Sequence, residues 1–394
     1  MSFPLASFFR QWAQMRRFNA LPATARTIVF YAEDASSWAH FEPIIEQLTG
    51  SLGREVCYLT SSSADPILDD TNQKIRAFYI GDGAVRTSLF LCLRAGVLVT
   101  TMPDLETLHL KRSRLRPVHY VYVFHSLVST HMVYRKGAFD HYDTILCSGP
   151  HHVREIRETE RCYGLNPRRL IEHGYGRLDT ILELNNGNGR SEVALERQKT
   201  QVLVAPSWGR QGLLEASGLR LAGILLDAGY GVVVRPHPMT RRKWPEVIRE
   251  LEDRFSNHPA FALETDVASC ESLGQADIMI SDWSGAALEF AFGYERPVLF
   301  VDLPRKVNNP DYGDIGCHPL EVTIRAEIGE VVSPQDLNRV PEKIERLGAD
   351  RRAFADRIRQ VRQRTVYNVG SSGAVGAAAI MGIADKVTSQ KGTG

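Results

Sequence analysis

One segment in the second half of the chain combines hydroxyl groups, a glycine and the start of a helix. An apolar run ends there in the letters SDWSG, positions 281–285, and passes at once into an alanine-rich helical pattern. This predicts a strand, a tight turn and a helix N-terminus, whose free N–H groups and positive dipole end favour a phosphate group. We expect Ser281, Ser284 and the backbone of Gly285 and Ala286 to bind a phosphorylated donor. The alternative for Ser284 is an ordinary N-cap.

A second strand upstream ends in Arg235-Pro236-His237-Pro238. Proline on both sides makes the turn rigid, so that the imidazole is held toward a ligand at the carboxyl end of the strand. His237 is expected to donate a hydrogen bond to a diphosphate or a proton to the leaving phosphate, with Arg235 as a second cation. Glu289, one turn into the downstream helix, is expected to accept from ribose hydroxyls. The alternatives are a structural turn and a solvated helix charge.

His125 closes the most apolar strand of the first half of the chain. A histidine at the carboxyl end of that strand would face the donor and remove a proton from an acceptor hydroxyl. Ser126 and Ser129 follow it and are expected to orient the acceptor, while Arg135 and Lys136 would attract an anionic acceptor. A buried histidine bonded to backbone, followed by a solvated loop, is the alternative.

Short apolar runs alternate with helical patterns along the chain, which predicts parallel sheets covered by helices on both faces. The predicted strands are residues 27–32, 56–60, 77–80, 97–101, 118–125, 144–147, 201–205, 231–235, 261–264, 278–281 and 297–302. The fold class is therefore α/β, with two doubly wound, Rossmann-like domains that face each other across a cleft. Such sheets bind ligands at the carboxyl ends of their strands, where the candidate residues lie.

The chain of 394 residues is long enough for two domains. A polar, glycine-rich stretch at 185–190 is the best linker in the sequence. It separates an acceptor domain at 27–185 from a nucleotide-donor domain at 186–370. Residues 1–26 are predicted to form an amphipathic segment, and residues 371–394 a helix rich in small residues with a short tail.

The amphipathic segment has no acidic residue before Glu33, and its aromatic residues are interleaved with Arg10, Arg16 and Arg17. At helical spacing much of the apolar set lies on one side, which is typical of a helix lying on an anionic membrane surface. The alternative is a helix packed on its own domain or on a second protomer, which leaves a homo-oligomer open. A secretory signal is not predicted, because no continuous apolar core follows the basic residues.

Composition and motifs argue against several other classes of protein. The net charge of +1 lacks the basic excess of a dedicated nucleic-acid binder, so no nucleic-acid partner is expected. The six cysteines form no CxxC pair, and the adjacent His151 and His152 point to different faces of a helix. Neither a P-loop, a GxGxxG turn after a strand nor a GxSxG elbow occurs. We expect no metal and no cofactor.

Several short motifs, taken together, resemble those of one family. In chain order they are Phe124-His125-Ser126, Ser148-Gly149, His173-Gly174-Tyr175-Gly176-Arg177-Leu178-Asp179, Val204-Ala205-Pro206-Ser207-Trp208, Arg235-Pro236-His237-Pro238, Ser281-Asp282-Trp283-Ser284-Gly285 and Arg296-Pro297-Val298-Leu299-Phe300. Over about residues 95–303 their order and spacing resemble the CDP-glycerol:poly(glycerophosphate) glycerophosphotransferases of teichoic-acid and capsule synthesis.

The resemblance implies a fold similar to that of GT-B glycosyltransferases, with two Rossmann-like halves and a cleft. It also implies an enzyme that moves a polyol phosphate from a CDP-activated donor onto a membrane-linked glycan or polymer and releases CMP. His125 would be the acceptor base, and His237 and Ser284 would bind the donor diphosphate. Family members work at the cytoplasmic face of the membrane, which implies a cytoplasmic, peripheral protein.

Two other functions stay open. The family usually has His-Gly-Thr where this chain has His125-Ser126-Leu127, and that difference is compatible with a non-catalytic relative that binds membrane or glycan. The other function is a GT-B glycosyltransferase that uses a nucleotide sugar. Release of CMP from a CDP-polyol, against release of UDP from a UDP-sugar, distinguishes the two enzymes.

Overall fold

The computed structural model describes residues 4–107, 110–187, 199–265 and 271–391. In this part of the chain, two parallel β-sheets of seven and six strands are flanked by helices. The predicted α/β fold with two Rossmann-like, doubly wound units is confirmed. We call the unit built on the seven-stranded sheet the first half and the unit built on the six-stranded sheet the second half.

The first sheet consists of β1 (Ile28–Ala32), β2 (Val56–Thr60), β3 (Ile75–Tyr79), β4 (Val97–Thr100), β5 (His119–Val123), β6 (Thr144–Cys147) and β7 (Arg169–Glu172). Their order across the sheet is β3-β2-β1-β4-β5-β6-β7, with parallel pairing throughout. The order reverses between β1 and β4, and a crevice at such a switch point is where this topology binds ligands. The inner strands are buried on both faces, which favours their β-branched and aromatic residues.

The second sheet consists of β8 (Gln201–Val204), β9 (Gly231–Val234), β10 (Phe261–Leu263), β11 (Ile278–Ser281), β12 (Val298–Val301) and β13 (Gly329–Val332). Its order is β10-β9-β8-β11-β12-β13, again parallel throughout. The switch point lies between β8 and β11. The turns that follow these two strands therefore open onto the same crevice.

The helices of the described residues are α1 (Pro4–Ala20), α2 (Trp38–Thr49), α3 (Ala84–Leu91), α4 (Thr130–Val133), α5 (Pro150–Tyr163), α6 (Gly176–Gly187), α7 (Leu213–Asp227), α8 (Pro238–Lys243), α9 (Pro245–Phe255), α10 (Glu271–Gln275), α11 (Gly285–Tyr294), α12 (Leu320–Thr323), α13 (Arg325–Ile328), α14 (Val340–Ala349), α15 (Arg351–Thr365) and α16 (Ser372–Lys391). Short 3-10 turns lie at Ala23–Arg26, Ala35–Ser37, Pro66–Asp69, Tyr312–Ile315 and Pro334–Arg339. The predicted linker at 185–190 lies partly outside the described residues, and its first three residues end α6. The domain boundaries stay a prediction.

Helix α16 returns from the second half and covers the first sheet beside α2. Its buried face, which includes Ala377 and Ile380, joins the core formed by β1, β4 and α2. Glycine permits this close approach: a Cβ on Gly373 would lie 2.5 Å from the carbonyl oxygen of Pro43, and one on Gly376 would lie 2.9 Å from Ile44. The core of the first half therefore contains residues from both ends of the described chain.

Helix α1 covers the opposite face of the first sheet with one side only. Phe18 is fully buried and packs edge-to-face on Phe78, with ring centroids 5.6 Å apart. The outer side leaves Phe8, Phe9 and Trp12 exposed by 42%, 61% and 42%. Among the described helices, none has both the length and the hydrophobicity to cross a bilayer.

The loop after β12 crosses to the first half and holds the segment that follows β5. The backbone of Asn308 donates to the carbonyl of Met132 at 3.0 Å, and its side chain donates to the carbonyl of Val133 at 2.7 Å. In α12, which follows this loop, the buried carboxylate of Glu321 accepts from the backbone N–H and hydroxyl of Ser129, at 2.8 and 2.7 Å. These bonds fix the position of the loop that begins with His125.

Candidate functional site

A cleft of about 530 Å³ lies between the carboxyl edges of the two sheets. The first half contributes the turns after β1, β4 and β5, and the second half contributes the turns after β8, β9, β11 and β12. The predicted residues that line it are His125, Ser126, Arg235, His237, Ser284, Gly285, Ala286 and Glu289. The structure thus brings two-thirds of the predicted site into one cavity, while their individual roles stay predictions.

His125 lies two residues beyond the end of β5, with its ring exposed to the open cleft. Its Nδ1 lies 3.3 Å from the hydroxyl of Tyr122. The protein that surrounds the cleft lowers the pKa of His125, against the opposing effects of a backbone bond at Thr101 and the carboxylates of Asp34 and Glu289. The imidazole is therefore neutral at neutral pH, which is the form that can accept a proton.

His40 is a second imidazole on the same wall, and the sequence did not mark it as a site residue. It belongs to α2, is buried, and has its ring centroid 6.2 Å from that of His125 and 5.6 Å from that of Tyr175. Burial, followed by the charges of His125 and Arg177, lowers the pKa of His40 well below its usual range. The acceptor wall therefore presents two neutral imidazoles.

His237 begins the opposite wall as the N-cap of α8. Its Nδ1 accepts a hydrogen bond from the backbone N–H of Met239 at 3.1 Å. Because Nδ1 accepts, the proton of the neutral ring is on Nε2, which has no hydrogen-bond partner among the described residues and can donate toward a ligand. Burial and the charge of Lys306 lower the pKa of His237 to about 4. This favours a neutral hydrogen-bond donor over a charged acid.

Ser284 is the N-cap of α11, and its hydroxyl oxygen accepts from the backbone N–H of Ala286 at 3.3 Å. This bond is the ordinary N-cap arrangement, and the hydroxyl proton remains available to a ligand. Gly285 lies against the first half, because a Cβ at this position would clash with the hydroxyl oxygen of Ser126. The helix N-terminus therefore opens directly onto the cleft.

Glu289 crosses the boundary between the halves. One carboxylate oxygen accepts from the hydroxyl of Tyr175 at 2.6 Å, and the other accepts from Nε of Arg177 at 2.9 Å. The carboxylate is buried, yet it lines the cleft. In this structure its oxygens join the two halves, and a ribose hydroxyl would have to share them.

Arg235 is buried and also lines the cleft, but its guanidinium is engaged within the second half. It donates to the hydroxyl of Ser272 at 3.4 Å and lies 3.9 Å from a carboxylate oxygen of Glu264. The strand directs this side chain along the sheet toward β10, which supports a structural contribution beside the predicted contact with a donor.

Four predicted site residues lie outside the cleft lining. Ser281 is buried and donates to the carbonyl of Ala205 at 2.8 Å, because the last residue of β11 faces its neighbouring strand. Ser129 is bonded to Glu321, as described above. Arg135 and Lys136 lie behind the loop, where Arg135 is 4.0 Å from Asp104 and Lys136 is 3.2 Å from Asp311. None of these four residues lines the cleft, and their contacts with donor or acceptor stay predictions.

Asp282 organises the switch point of the second sheet, a function that the sequence did not suggest. One oxygen of its buried carboxylate accepts from the backbone N–H of Ser207 and of Trp283, both at 2.6 Å. The other accepts from the N–H of Leu213 at 3.2 Å. One carboxylate therefore fixes the turn after β8 relative to the turn after β11.

A larger groove of about 760 Å³ lies at the amino ends of β1 and β2. Its charged groups are paired with one another: Arg76 lies 2.8 Å from Glu55, and Arg54 lies 3.6 Å from Asp385. Ligands of doubly wound sheets bind at the carboxyl ends of the strands. The cleft between the halves is therefore the candidate site.

Within the described ranges, no group of three His, Cys, Asp or Glu side chains could hold a metal ion.

Comparison with known proteins gives one family and one fold. The family model described as CDP-glycerol:poly(glycerophosphate) glycerophosphotransferase matches residues 14–304. A glycosyltransferase structure from Rickettsia africae is similar with a TM-score of 0.56 at 12% identity, covering 92% of this chain and 98% of that chain. A UDP-GlcNAc 2-epimerase from Methanocaldococcus jannaschii, solved with UDP-GlcNAc and UDP, is similar with a TM-score of 0.54 at 12% identity, covering 90% and 98%.

A trehalose 6-phosphate synthase structure from Burkholderia multivorans is similar with a TM-score of 0.51 at 10% identity, covering 93% of this chain and 99% of that chain. At such identities these structures bear on the fold alone, and they support the expected GT-B-like arrangement of two Rossmann-like units. No curated protein sequence gives a significant match.

Proposed function

Because this chain belongs to the CDP-glycerol:poly(glycerophosphate) glycerophosphotransferase family and is thereby a transferase, we propose that it moves a polyol phosphate from a CDP-activated donor to a membrane-linked glycan or polymer. Glycerol phosphate is the first candidate for the transferred group. The acceptor hydroxyl oxygen would bond to the β-phosphorus of the donor. The bond from that phosphorus to the oxygen bridging to CMP would break, and His125 would take the hydroxyl proton.

The observation that carries this proposal is the placement of two chemistries on opposite walls. A neutral imidazole, His125, lies on the wall of the first half. Across the cleft, the Nε2–H of His237, the hydroxyl of Ser284 and the N-terminus of α11 offer donors and positive potential. A base facing an anion site is what transfer of a phosphoryl group to a hydroxyl requires.

The test compares donors in the presence of membrane extract from cells that lack the protein. Release of CMP from CDP-glycerol or CDP-ribitol, dependent on the extract, is the expected result. Release of UDP or CMP from a nucleotide sugar, without reaction of the CDP-polyols, would replace the proposal by a glycosyltransferase. Binding of CDP-polyols with no release under any condition would favour the non-catalytic relative.

We also propose that α1 places the enzyme on the anionic, cytoplasmic face of a membrane. The support is its exposed rings, Phe8, Phe9 and Trp12, together with Arg10 and the arginines that follow on a helix without acidic residues. Exposed aromatic residues beside cations suit the boundary between lipid headgroups and acyl chains. Replacing the three rings by serine should abolish sedimentation with vesicles that contain phosphatidylglycerol.

The control for that experiment is Leu184→Ser, which removes an exposed apolar residue from α6. It should sediment with vesicles like the unchanged protein. If all three proteins ignore anionic vesicles, the exposed rings of α1 do not bind lipid, and contact with a second protomer becomes the better explanation.

A further inference from the structure

Lys306 lies on the loop after β12, in the wall of the cleft beside His237 and Ser284. No motif in the sequence marks this lysine as a site residue. Its ammonium nitrogen lies 4.3 Å from the centroid of the Trp208 ring, which is itself 6.0 Å from the ring of His237. The lysine is half-buried and therefore only partly hydrated.

The charges around Lys306 distinguish it from the other cations of the cleft. Arg177 and Arg235 have carboxylates within 4.0 Å, at Glu289 and Glu264. Lys306 has no carboxylate at that distance among the residues that the structure describes. It is held by the face of an aromatic ring, a contact that does not neutralise its charge.

Four titratable groups act on Lys306: two carboxylates, one lysine and one imidazole. Asp282 and Glu215 attract it, but three backbone N–H groups already bond to Asp282, and Glu215 accepts from Thr240 at 2.8 Å. Lys243 repels it, and the neighbouring imidazole of His237 is neutral. Burial, with the repulsion by Lys243, lowers the pKa of Lys306 to about 8. A half-buried ammonium in this state gains free energy when an anion enters the cleft.

We propose that Lys306 is the cation that binds a phosphoryl group in the cleft, acting with the Nε2–H of His237 and the hydroxyl of Ser284. All three present donors and no accepting charge, which fits the several acceptor oxygens of a phosphate. The inference rests on the proposed function and adds to it the positively charged residue of the phosphate site. The phosphoryl group belongs either to the donor diphosphate or to a phosphate of the acceptor.

The first experiment measures binding of CDP, of inorganic pyrophosphate and of cytidine by calorimetry at pH 7. Lys306→Met should bind CDP and pyrophosphate roughly 10- to 100-fold more weakly, as expected for a lost hydrogen bond to a charged group. Cytidine binding should not change. Lys306→Arg should retain most of the affinity. Lys243→Met is the matched control, because Lys243 also contacts Trp208, at 4.7 Å, but does not line the cleft.

The second experiment uses pH. Only the protonated ammonium attracts the anion, so CDP affinity of the unchanged protein should fall by up to about tenfold per pH unit above pH 8. Lys306→Arg should bind CDP equally well from pH 7 to pH 10, since a guanidinium keeps its charge. Loss of the pH dependence in this variant separates a charge effect from a general disturbance of the loop.

The outcomes separate the two proposals. Unchanged CDP affinity in Lys306→Met, with a raised KM for the acceptor, assigns the lysine to a phosphate of the acceptor. If Lys306→Met keeps both its CDP affinity and its KM for the acceptor, the inference about Lys306 is wrong. Release of CMP by the unchanged protein would then still support the proposed function. If the unchanged protein binds CDP with the expected pH dependence but releases no CMP from CDP-glycerol, the function fails and the phosphate site stands. Failure of both CDP and pyrophosphate to bind overturns the site.

Discussion

Glu289→Gln removes one charge from the contact that joins the two halves while keeping the size of the side chain. In the structure, Glu289 accepts from Tyr175 at 2.6 Å and from Arg177 at 2.9 Å. A glutamine oxygen can still accept from Arg177, and its amide can donate to the tyrosine oxygen. The tyrosine proton can then go to the carbonyl oxygen of His125, 3.1 Å away. The substitution therefore tests the charge rather than the hydrogen bonds.

The expected loss in the free energy of unfolding follows from the two hydrogen bonds to Glu289. Hydrogen bonds to a charged group contribute about 1.5–3 kcal/mol and neutral ones about 0.5–1.5 kcal/mol, so the loss is about 1 kcal/mol for each bond and about 2 kcal/mol in total. The groups at this contact are nearly buried, which limits screening by solvent. Desolvation by the protein that surrounds the cleft lowers the pKa of His125, and the charge of Glu289 opposes that shift. Without this charge the pKa of His125 should fall further.

The assays are urea unfolding, NMR titration of the His125 ring, and the pH profile of CMP release. A base is active above its pKa, so the acid limb of the profile should lie below pH 6.5 in the unchanged protein. In Glu289→Gln that limb should move to still lower pH. The control is Glu295→Gln at the other end of α11, whose carboxylate bonds to Arg359 and Arg362 within the second half. The control should lose stability without moving the acid limb.

Two results would contradict this reasoning. Equal stability of Glu289→Gln and the unchanged protein would mean that the bonds across the boundary do not contribute in solution. A stability loss with no change in the pKa of His125 would mean that the carboxylate and the imidazole are electrostatically independent.

Three further outcomes are expected. His237→Ala should weaken CDP binding roughly 10- to 100-fold, as measured by calorimetry. His125→Ala should keep its CDP affinity and slow CMP release roughly 10²–10⁴-fold. Full turnover by His125→Ala would show that His125 is not the base. Gly285→Ala should lower the free energy of unfolding in urea because its Cβ meets the Ser126 hydroxyl, and adding Ser126→Ala should restore it; no restoration would refute the contact. Asp282→Asn should speed amide hydrogen exchange in the two turns it joins, and unchanged exchange would show that these bonds are dispensable.

All the buried inner strands could be predicted from the sequence, as could two edge strands, β3 and β10. Runs such as 56–60 and 144–147 have β-branched and aromatic residues on both faces, and the structure has strands with those bounds. The two strands that were missed, β7 and β13, lie at the other two sheet edges, and each has side chains exposed to solvent. Their sequences contain too few apolar residues for hydrophobic periodicity to distinguish them from loops.

The residues of the candidate site also fall into those that the sequence could predict and those that it could not. His125 and His237 follow strands, so the topology alone brings them to one cleft. Whether the other predicted residues face the cleft depends on their hydrogen-bond partners, which cannot be read from the sequence. The hydroxyl of Ser281 bonds to a neighbouring strand, and that of Ser129 bonds to Glu321. Lys306 reaches the cleft only because a long loop crosses to the first half. No local pattern encodes such a crossing.

The return of α16 to the first sheet affects the order in which the protein can fold during its synthesis. The ribosome completes every strand of the first sheet by Glu172, yet Ala377 and Ile380, which cover one of its faces, are made about 200 residues later. At roughly 5–20 residues per second, the nascent chain leaves that apolar face uncovered for about 10–40 s. During this time the emerging second half can fold as a unit, while the first half depends on chaperones or on a loosely packed intermediate. The last helix that the structure describes is thus the one that completes the first core.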